Sequence, residues 1–359
     1  MNKTDMEKYG FTGRFAAEAA LYEGLYAGRV FSQYKDFYKV MTENGEAMAE
    51  VSGKLRFESS SPSEFPAVGD FVMLDRTDDT GGNAIIHCIL ARKSVFARKA
   101  AGSTNEEQVV ASNIDTLFIC MSLNNDFSLR RLERYLAIGW DSGAVPVIVL
   151  TKADLCEDAG EKLREVEAVA IGVDIIVTSA LLEEGLEQVE RYMKEGQTVA
   201  FIGSSGVGKS TLINCLTDEQ RQYTNGLRND DKGRHTTTRR ELIVLASGGM
   251  VIDTPGMREI GLESANLAKT FADIDRLAKE CRFLDCTHTV EPGCAVQRAV
   301  SGGALPAERL ASYHKLKKEA KYEGLNSKQI ETAKLEEMFA EVGGMKNARR
   351  FAKDKNKNR

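Results

Sequence analysis

The stretch GSSGVGKS, Gly203 to Ser210, has the spacing G-x-x-x-x-G-K-[ST] and lies between an apolar run, TVAFI, and a helical one, STLINCL. A loop of this kind between strand and helix is built to hold phosphate. Backbone N–H groups of Gly203, Ser204, Ser205, Gly206, Val207 and Gly208 would wrap the phosphates, Lys209 would bring a point charge to the β/γ oxygens, and Ser210 would offer a hydroxyl to Mg²⁺. Thr211 follows at the helix start and completes the candidate phosphate set.

About forty residues on, VIDTPG ends an apolar strand with Asp253 and places Gly256 three positions later. After a phosphate loop this pattern suits an Asp253 that holds Mg²⁺, through water, and a Gly256 N–H that senses a γ-phosphate. Between them runs GLRNDDKGRHTTTRREL, polar and glycine-punctuated, as a mobile loop would be. One of its threonines could complete the Mg²⁺ shell. Thr237 is the first choice, with Thr236 and Thr238 next to it, although β-branched residues also simply begin strands.

Upstream, the apolar run VPVIVL leads into TKADL, Leu155 being its last residue. Asp154 at the end of a buried strand can accept two hydrogen bonds from the N1–H and N2–H₂ edge of guanine, which adenine lacks, and Lys152 can pack its stem along a purine. Read as a buried carboxylate, Asp154 would discriminate bases by several kcal/mol, on the order of two charged hydrogen bonds. Thr151 opens the segment where many GTPases carry asparagine. After the next strand, TSA (Thr178 to Ala180) brings Ser179 and the Ala180 N–H toward the guanine oxygen. The base-reading segments thus precede the phosphate-binding ones, the reverse of the common order. A circular permutation gives this arrangement, since a domain whose ends lie close together tolerates such a cut.

A third cluster is chemically distinct. CRFLDCTHTVEPGC has the spacing C-x₄-C-x-H-x₅-C. Three thiolates and one imidazole, from Cys281, Cys286, His288 and Cys294, make a full tetrahedral set for zinc and leave no position open for catalysis. The other four cysteines (Cys88, Cys120, Cys156 and Cys215) stand in apolar or helical surroundings and are expected to be reduced core residues.

These residues need three kinds of scaffold. From Tyr26 to about Ala91, short β-rich runs (GRVFSQY, DFYKVMT, EAMAEVSG, GDFVMLD, AIIHCIL) broken by Gly, Asn, Asp and Pro predict a small antiparallel barrel of the oligonucleotide-binding (OB-fold) type. RFAAEAALYEGLY before it reads as helix. Beyond Asn113, apolar strands alternate with helical segments, and ELIVLA and GMVIDT form a hairpin, so a mostly parallel sheet covered on both faces is expected. From about Leu262 the chain reads as helical, interrupted by the cysteine cluster. The divisions are 1–27, an N-terminal extension; 28–100, the barrel; 101–262, a permuted α/β P-loop domain; and 263–359, a mainly helical zinc-binding domain with a basic tail.

With 359 residues and 42% apolar content, the chain can bury a substantial core in two or three domains. Its start, MNKTDMEKYG, is polar, and no apolar run reaches the roughly 18 residues of a membrane helix. A cytoplasmic, monomeric protein without a membrane partner is expected. Net charge is −5, yet from Pro306 onward Lys and Arg number 14 against 8 Asp and Glu, so a basic tail follows an acidic body. The tail KNARRFAKDKNKNR is either a solvated terminus or an arm that contacts RNA.

Taken together, PAVGDFV, TKADL, GSSGVGKSTLIN, GRHTTTRRE, IDTPGMRE and CRFLDCTHTVEPGCAV resemble the bacterial, circularly permuted family of small-ribosomal-subunit-dependent GTPases, which carries an OB-type barrel before and a zinc domain after. The likeness covers the chain from about Gly28. It implies late maturation of the small ribosomal subunit, contact with that subunit and its rRNA, binding in the GTP state with release on hydrolysis to GDP, and stimulation of hydrolysis by the subunit. Met257 stands beyond Gly256 where many GTPases carry the glutamine that orients water, and an apolar side chain cannot do that. The resemblance makes His235 the candidate replacement, beside Thr237 and Gly256 as catalytic residues. Two readings from other classes stay open: a P-loop ATPase or kinase with a zinc appendage, against which Asp154 argues, and an RNA-binding assembly protein that uses GTP only as a conformational sensor.

Overall fold

Alternating side chains build the first strands. In the computed structural model, which describes residues 5–99, 107–216, 240–253 and 267–322, β1 (Tyr26–Gln33), β2 (Tyr38–Thr42), β3 (Gly45–Val51), β4 (Phe71–Leu74) and β5 (Ala84–Ile89) form the N-terminal domain. Every second residue of β2 is buried, as in strands with one face on a core. β1 pairs with β2 and β4, β2 with β3, β3 in parallel with β5, and β5 with β4, so the ring closes into a barrel. Val30, Val40, Ala49, Val72, Leu74 and Ile86 fill it.

The helix expected before the barrel is shorter than its composition suggests. α1 spans Gly13–Ala19, the backbone then turns through Gly24 at φ +78°, and Tyr26 and Ala27 pair with Leu74 and Met73 instead. Sheet pairing outweighs the helical propensity of LYEGLY. A second short helix, α2 (Gly53–Glu58), follows β3 and is capped by the Ser52 hydroxyl, which accepts from the Leu55 N–H. A hairpin that the composition did not single out, β6 (Val95–Lys99) with β7 (Glu107–Ser112), then leads into the second domain.

That domain alternates as expected. Its elements are β8 (Thr116–Ser122), α3 (Leu129–Ser142), β9 (Val145–Thr151), α4 (Ala159–Val169), β10 (Asp174–Val177), α5 (Leu186–Glu190), β11 (Thr198–Ile202), α6 (Lys209–Leu216), β12 (Arg240–Val244) and β13 (Met250–Asp253). They lie in the order β10-β9-β8-β11-β13-β12, parallel except for the β12–β13 hairpin. β11, the strand of the phosphate loop, sits centrally, and the strands of the base-reading segments lie to one side. Read from β11 onward and then back to β8 through β10, the elements make one doubly wound sheet. Chain order is permuted; spatial order is not.

Both faces are covered. β8 is buried throughout: Leu117, Ile119 and Met121 pack with Leu132 and Leu136 of α3, while Phe118 and Cys120 pack with Val189, Met193, Leu212 and Ile213. α5 ends at Glu190, and the chain beyond it bends to bury Met193 and to deliver Thr198 to β11. Of the four isolated cysteines only Cys120 is buried; Cys88, Cys156 and Cys215 are half-buried.

The barrel is bolted to this sheet by polar groups. Arg29 of β1 is buried, its guanidinium lying 4.9 Å from the centre of the Phe71 ring. It donates to Thr198 Oγ1 (2.8 Å), to the Tyr9 carbonyl (2.5 Å) and, at 3.4 Å, to the Gly69 carbonyl. Burial pulls its pKa down to about 10, so it stays cationic at neutral pH. Beside it, buried Asp70 accepts two bonds from Arg92 (2.8 and 2.7 Å) and one from the Ser112 hydroxyl. Gly69, at φ +94°, lies so close to β7 that a Cβ would stand 2.2 Å from the Ser112 carbonyl oxygen. The VGD of PAVGDFV is therefore a joint between domains. At its far end β1 also pairs with β12, Ser32 opposite Glu241 and Gln33 opposite Arg240, which makes one continuous eleven-stranded sheet.

The C-terminal part is mainly helical: α7 (Leu267–Thr270), α8 (Ala272–Ala278), the cysteine-bearing segment, α9 (Ala295–Ser301) and α10 (Ala307–Tyr322). Phe271, Ile274, Val296, Leu305, Leu310 and Leu316 extend the core under α3. Arg309 enters that seam, donating to Glu133 of α3 at 2.7 Å and through two nitrogens to Asp273 at 2.5 and 2.8 Å. Among the described residues no helix is long and apolar enough to cross a membrane.

Candidate functional site

The phosphate loop takes the shape its glycines allow. Gly203 leaves β11 at φ +147° with the Cys120 carbonyl oxygen 2.4 Å from where a Cβ would be, so only glycine lets the loop start against β8. Val207 is buried and anchors the loop from below, and α6 begins at Lys209. Lys209 Nζ donates to the carbonyls of Gly203 and Ser204, both at 2.7 Å, which folds its ammonium over the loop. Ser205, Ser210 and Thr211 are exposed at the same rim, and Ser204 is half-buried.

The base-reading segment is joined to this loop. Thr151, buried, donates its hydroxyl to the Val207 carbonyl at 2.5 Å, and Lys152 Nζ donates to the Gly206 carbonyl at 2.7 Å. Thr151 thus supplies a tie between the segment and the loop from a shorter side chain than asparagine. Lys152 sits at φ +58°, and Asp154 follows in a single 3₁₀ turn, Ala153–Leu155. Ser179, buried, donates to Asp154 Oδ1 at 2.7 Å, and the backbone ties Thr178 N–H to Leu150 at 2.7 Å. Half-buried Ala180 follows. One feature differs from the sequence reading: Asp154 is exposed. Its carboxylate faces solvent beside the Ser179 hydroxyl. Burial of β9 stops at Thr151, and the turn beyond the strand end lies at the surface.

His235, Thr236, Thr237, Thr238, Gly256 and Met257 lie outside the described residues, as does the basic tail. Asp253 ends β13, two strands from β8 and next to β11.

Sequence reasoning missed Asp126. This residue lies between β8 and α3, and its Oδ2 accepts from the Ser204 hydroxyl at 2.7 Å, while Arg131 Nη1 reaches both carboxylate oxygens at 3.0 and 2.9 Å. The hydrogen bonds from Arg131 and then Ser204 hold its pKa below the usual carboxylate range, so it is anionic at neutral pH. Its position offered a signal: a charged residue in the loop after the strand beside the phosphate-loop strand faces the crevice where doubly wound sheets bind ligands.

The cysteine cluster closes as its spacing predicts. Cys281, Cys286, His288 and Cys294 bring one ligand atom each within 4.8 Å of one another. Cys281 Sγ and Cys294 Sγ are 3.9 Å apart and each is 3.6 Å from His288 Nδ1. Metal–sulfur bonds of about 2.3 Å at tetrahedral angles put sulfurs about 3.8 Å apart, so the spacing fits a four-coordinate ion. The ring of His288 is oriented by its own backbone, held at φ +62° with its carbonyl accepting from Gln297 Nε2 at 2.7 Å. Four residues that could hold a metal ion leave it no open position.

The chain is similar to known proteins over most of its length. The model of the RsgA GTPase family matches residues 89–263, and that of the ABC transporter family matches residues 186–356, a span that includes the same phosphate loop. A "Small ribosomal subunit biogenesis GTPase RsgA 2" of Lactiplantibacillus plantarum is 52% identical over 97% of this chain and 98% of its own. A "Small ribosomal subunit biogenesis GTPase RsgA 1" of Listeria innocua is 47% identical over 88% of this chain and 90% of its own. Among solved structures, YjeQ from Thermotoga maritima superposes with a TM-score of 0.63 at 27% identity, covering 82% of this chain and 98% of that one. YloQ, described as a circularly permuted GTPase, gives a TM-score of 0.59 at 25% identity over 83% and 96% of the two chains.

Proposed function

The chain belongs to the RsgA GTPase family, and from that premise we propose that it binds and hydrolyses GTP in the biogenesis of the small ribosomal subunit. The observation that carries this reading is the pair of bonds, Thr151 to Val207 and Lys152 to Gly206, which ties the TKAD segment to the phosphate loop, as a joint base and phosphate site requires. Asp154 and the Ala180 N–H read the base, and the loop from Gly203 to Thr211 holds the phosphates. Ser210, Thr237 and Asp253 hold Mg²⁺, which neutralises phosphate charge, and Gly256 senses the γ-phosphate. Residues 28–100 act as the barrel unit, 101–262 as the GTPase, 263–359 as the zinc unit with its basic tail, and 1–27 as an extension. The protein works as a cytoplasmic monomer that engages the small subunit and its rRNA in the GTP state and leaves on hydrolysis to GDP.

Purified protein should hydrolyse GTP slowly alone and much faster with isolated small subunits. No stimulation by subunits would overturn the assignment, and equal use of ATP would favour a general P-loop ATPase. Because Met257 cannot orient water, His235 takes that role. His235→Ala should keep GTP affinity yet lose on the order of 10²-fold of the subunit-stimulated rate, the usual scale for a water-positioning group. Full stimulated turnover by that variant would exclude His235.

The metal is zinc, one per chain, because three thiolates and one imidazole in a closed tetrahedral set suit it best. Cys286→Ser should weaken metal retention at least about 10²-fold and loosen the C-terminal helices, while GTP binding persists. Elemental analysis of the unmodified protein and of the variant checks this. A metal-free unmodified protein would refute it.

A further inference from the structure

Ser204 is gripped from two sides. Its carbonyl accepts from Lys209 Nζ at 2.7 Å, and its hydroxyl donates to Asp126 Oδ2 at 2.7 Å. Asp126 in turn has little freedom. Arg131, on the first turn of α3, donates to both of its carboxylate oxygens and, through Nη2, to its backbone carbonyl at 3.2 Å. Asn124 Oδ1 accepts from the Asp126 N–H at 3.0 Å and from the Ser122 hydroxyl at 2.8 Å, which fixes the turn that presents the carboxylate. Lys152, which reaches the other half of the phosphate loop, adds a favourable charge. The loop is thus braced at Ser204 from the β8–α3 turn and at Gly206 and Val207 from the base-reading segment.

We propose that Asp126 is a positioning residue for the nucleotide phosphates: by holding Ser204 it keeps the first half of the phosphate loop, and the carbonyl on which Lys209 rests, in the curvature that makes the loop's N–H groups converge. This assignment rests on the reading that the loop holds GTP. The alternative use of such an ion pair is stability of the fold, and exposure weighs against it. The side chains of Arg131 and Asp126 are 30% and 44% exposed, and ion pairs that open to water contribute little to folding. A pair of low value to the fold is nevertheless locked by four hydrogen bonds from Arg131 to Asp126 and aimed at a phosphate-loop hydroxyl. Preorganisation of the loop accounts for that expense of geometry, since a loop already in its binding shape loses less entropy when phosphate arrives.

The test measures GTP and GDP affinity of the full chain beside its melting temperature without nucleotide. Asp126→Ala should weaken both nucleotides about 10-fold and leave the melting temperature within about 2 °C, as expected when an exposed pair is removed. Ser204→Ala should weaken binding to a similar degree, and the double variant should be no worse than either single one, because both break one contact. Asp126→Asn, which keeps an acceptor oxygen for Ser204, should recover most of the affinity. Unchanged affinity in Asp126→Ala, additive losses in the double variant, or a fall of many degrees in melting temperature would each overturn the assignment. Failure of the unmodified protein to bind GTP would instead remove the reading beneath it.

Discussion

Asp154→Asn is expected to lower GTP affinity about 10³-fold, or ~4 kcal/mol, the scale of two hydrogen bonds to a charged acceptor at about 1.5–3 kcal/mol each. The carboxylate can accept from both guanine N1–H and N2–H₂, whereas the amide offers one oxygen and turns an NH₂ toward a second donor. Because Asp154 is exposed and takes one bond from Ser179, the substitution disturbs little of the fold. A second readout separates base reading from damage: xanthine carries an oxygen where guanine carries its amino group, so the variant should gain affinity for xanthosine triphosphate as it loses GTP. Titration with GTP, ATP and xanthosine triphosphate decides the matter. An unchanged preference for GTP over ATP would sink the assignment of Asp154.

Arg309→Ala is expected to destabilise the chain by about 3–5 kcal/mol, the cost of leaving a buried charge without its partner. Arg309 and Glu133 are each 3% exposed, and the same guanidinium also spans Asp273 and the Thr270 carbonyl. Burial already pushes the Glu133 carboxyl up, and Arg309 and Ser312 oppose that shift. Without the guanidinium the carboxylate is stranded, so the deficit should shrink toward acid pH as Glu133 takes a proton. Arg309→Lys should rescue only part, because one ammonium cannot replace a planar fork that serves two carboxylates. Urea unfolding of the variants reads the loss, and a deficit under about 1 kcal/mol would mean that water reaches the seam.

The motifs of the site were legible because their chemistry is written in adjacent residues. A phosphate loop needs its glycines, lysine and serine within eight positions, and the four metal ligands fall between Cys281 and Cys294. The permuted order was legible too, since the strand ending in TKAD and the strand before GSSGVGKS could be placed independently. What stayed hidden depends on contacts made across the chain. Ser204 and Asp126 are 78 residues apart, Arg29 and Thr198 are 169, and Arg309 and Glu133 are 176. No local pattern marks such partners; a buried arginine reads as a surface one until the fold closes over it. The length of α1 and the exposure of Asp154 were misread for a related reason, because strand pairing and the end of the sheet set them.

The pairing of β1 with β12 has a consequence for dissection of the molecule. β12 follows the segment that carries His235 and Thr237, and its outward N–H and C=O groups at Arg240 and Glu241 meet the barrel strand rather than water. A fragment lacking residues 28–100 would present β12 as an unprotected strand margin, a template on which another copy can add by backbone hydrogen bonds. The barrel therefore serves its neighbour as a guard against self-association, whatever else it touches.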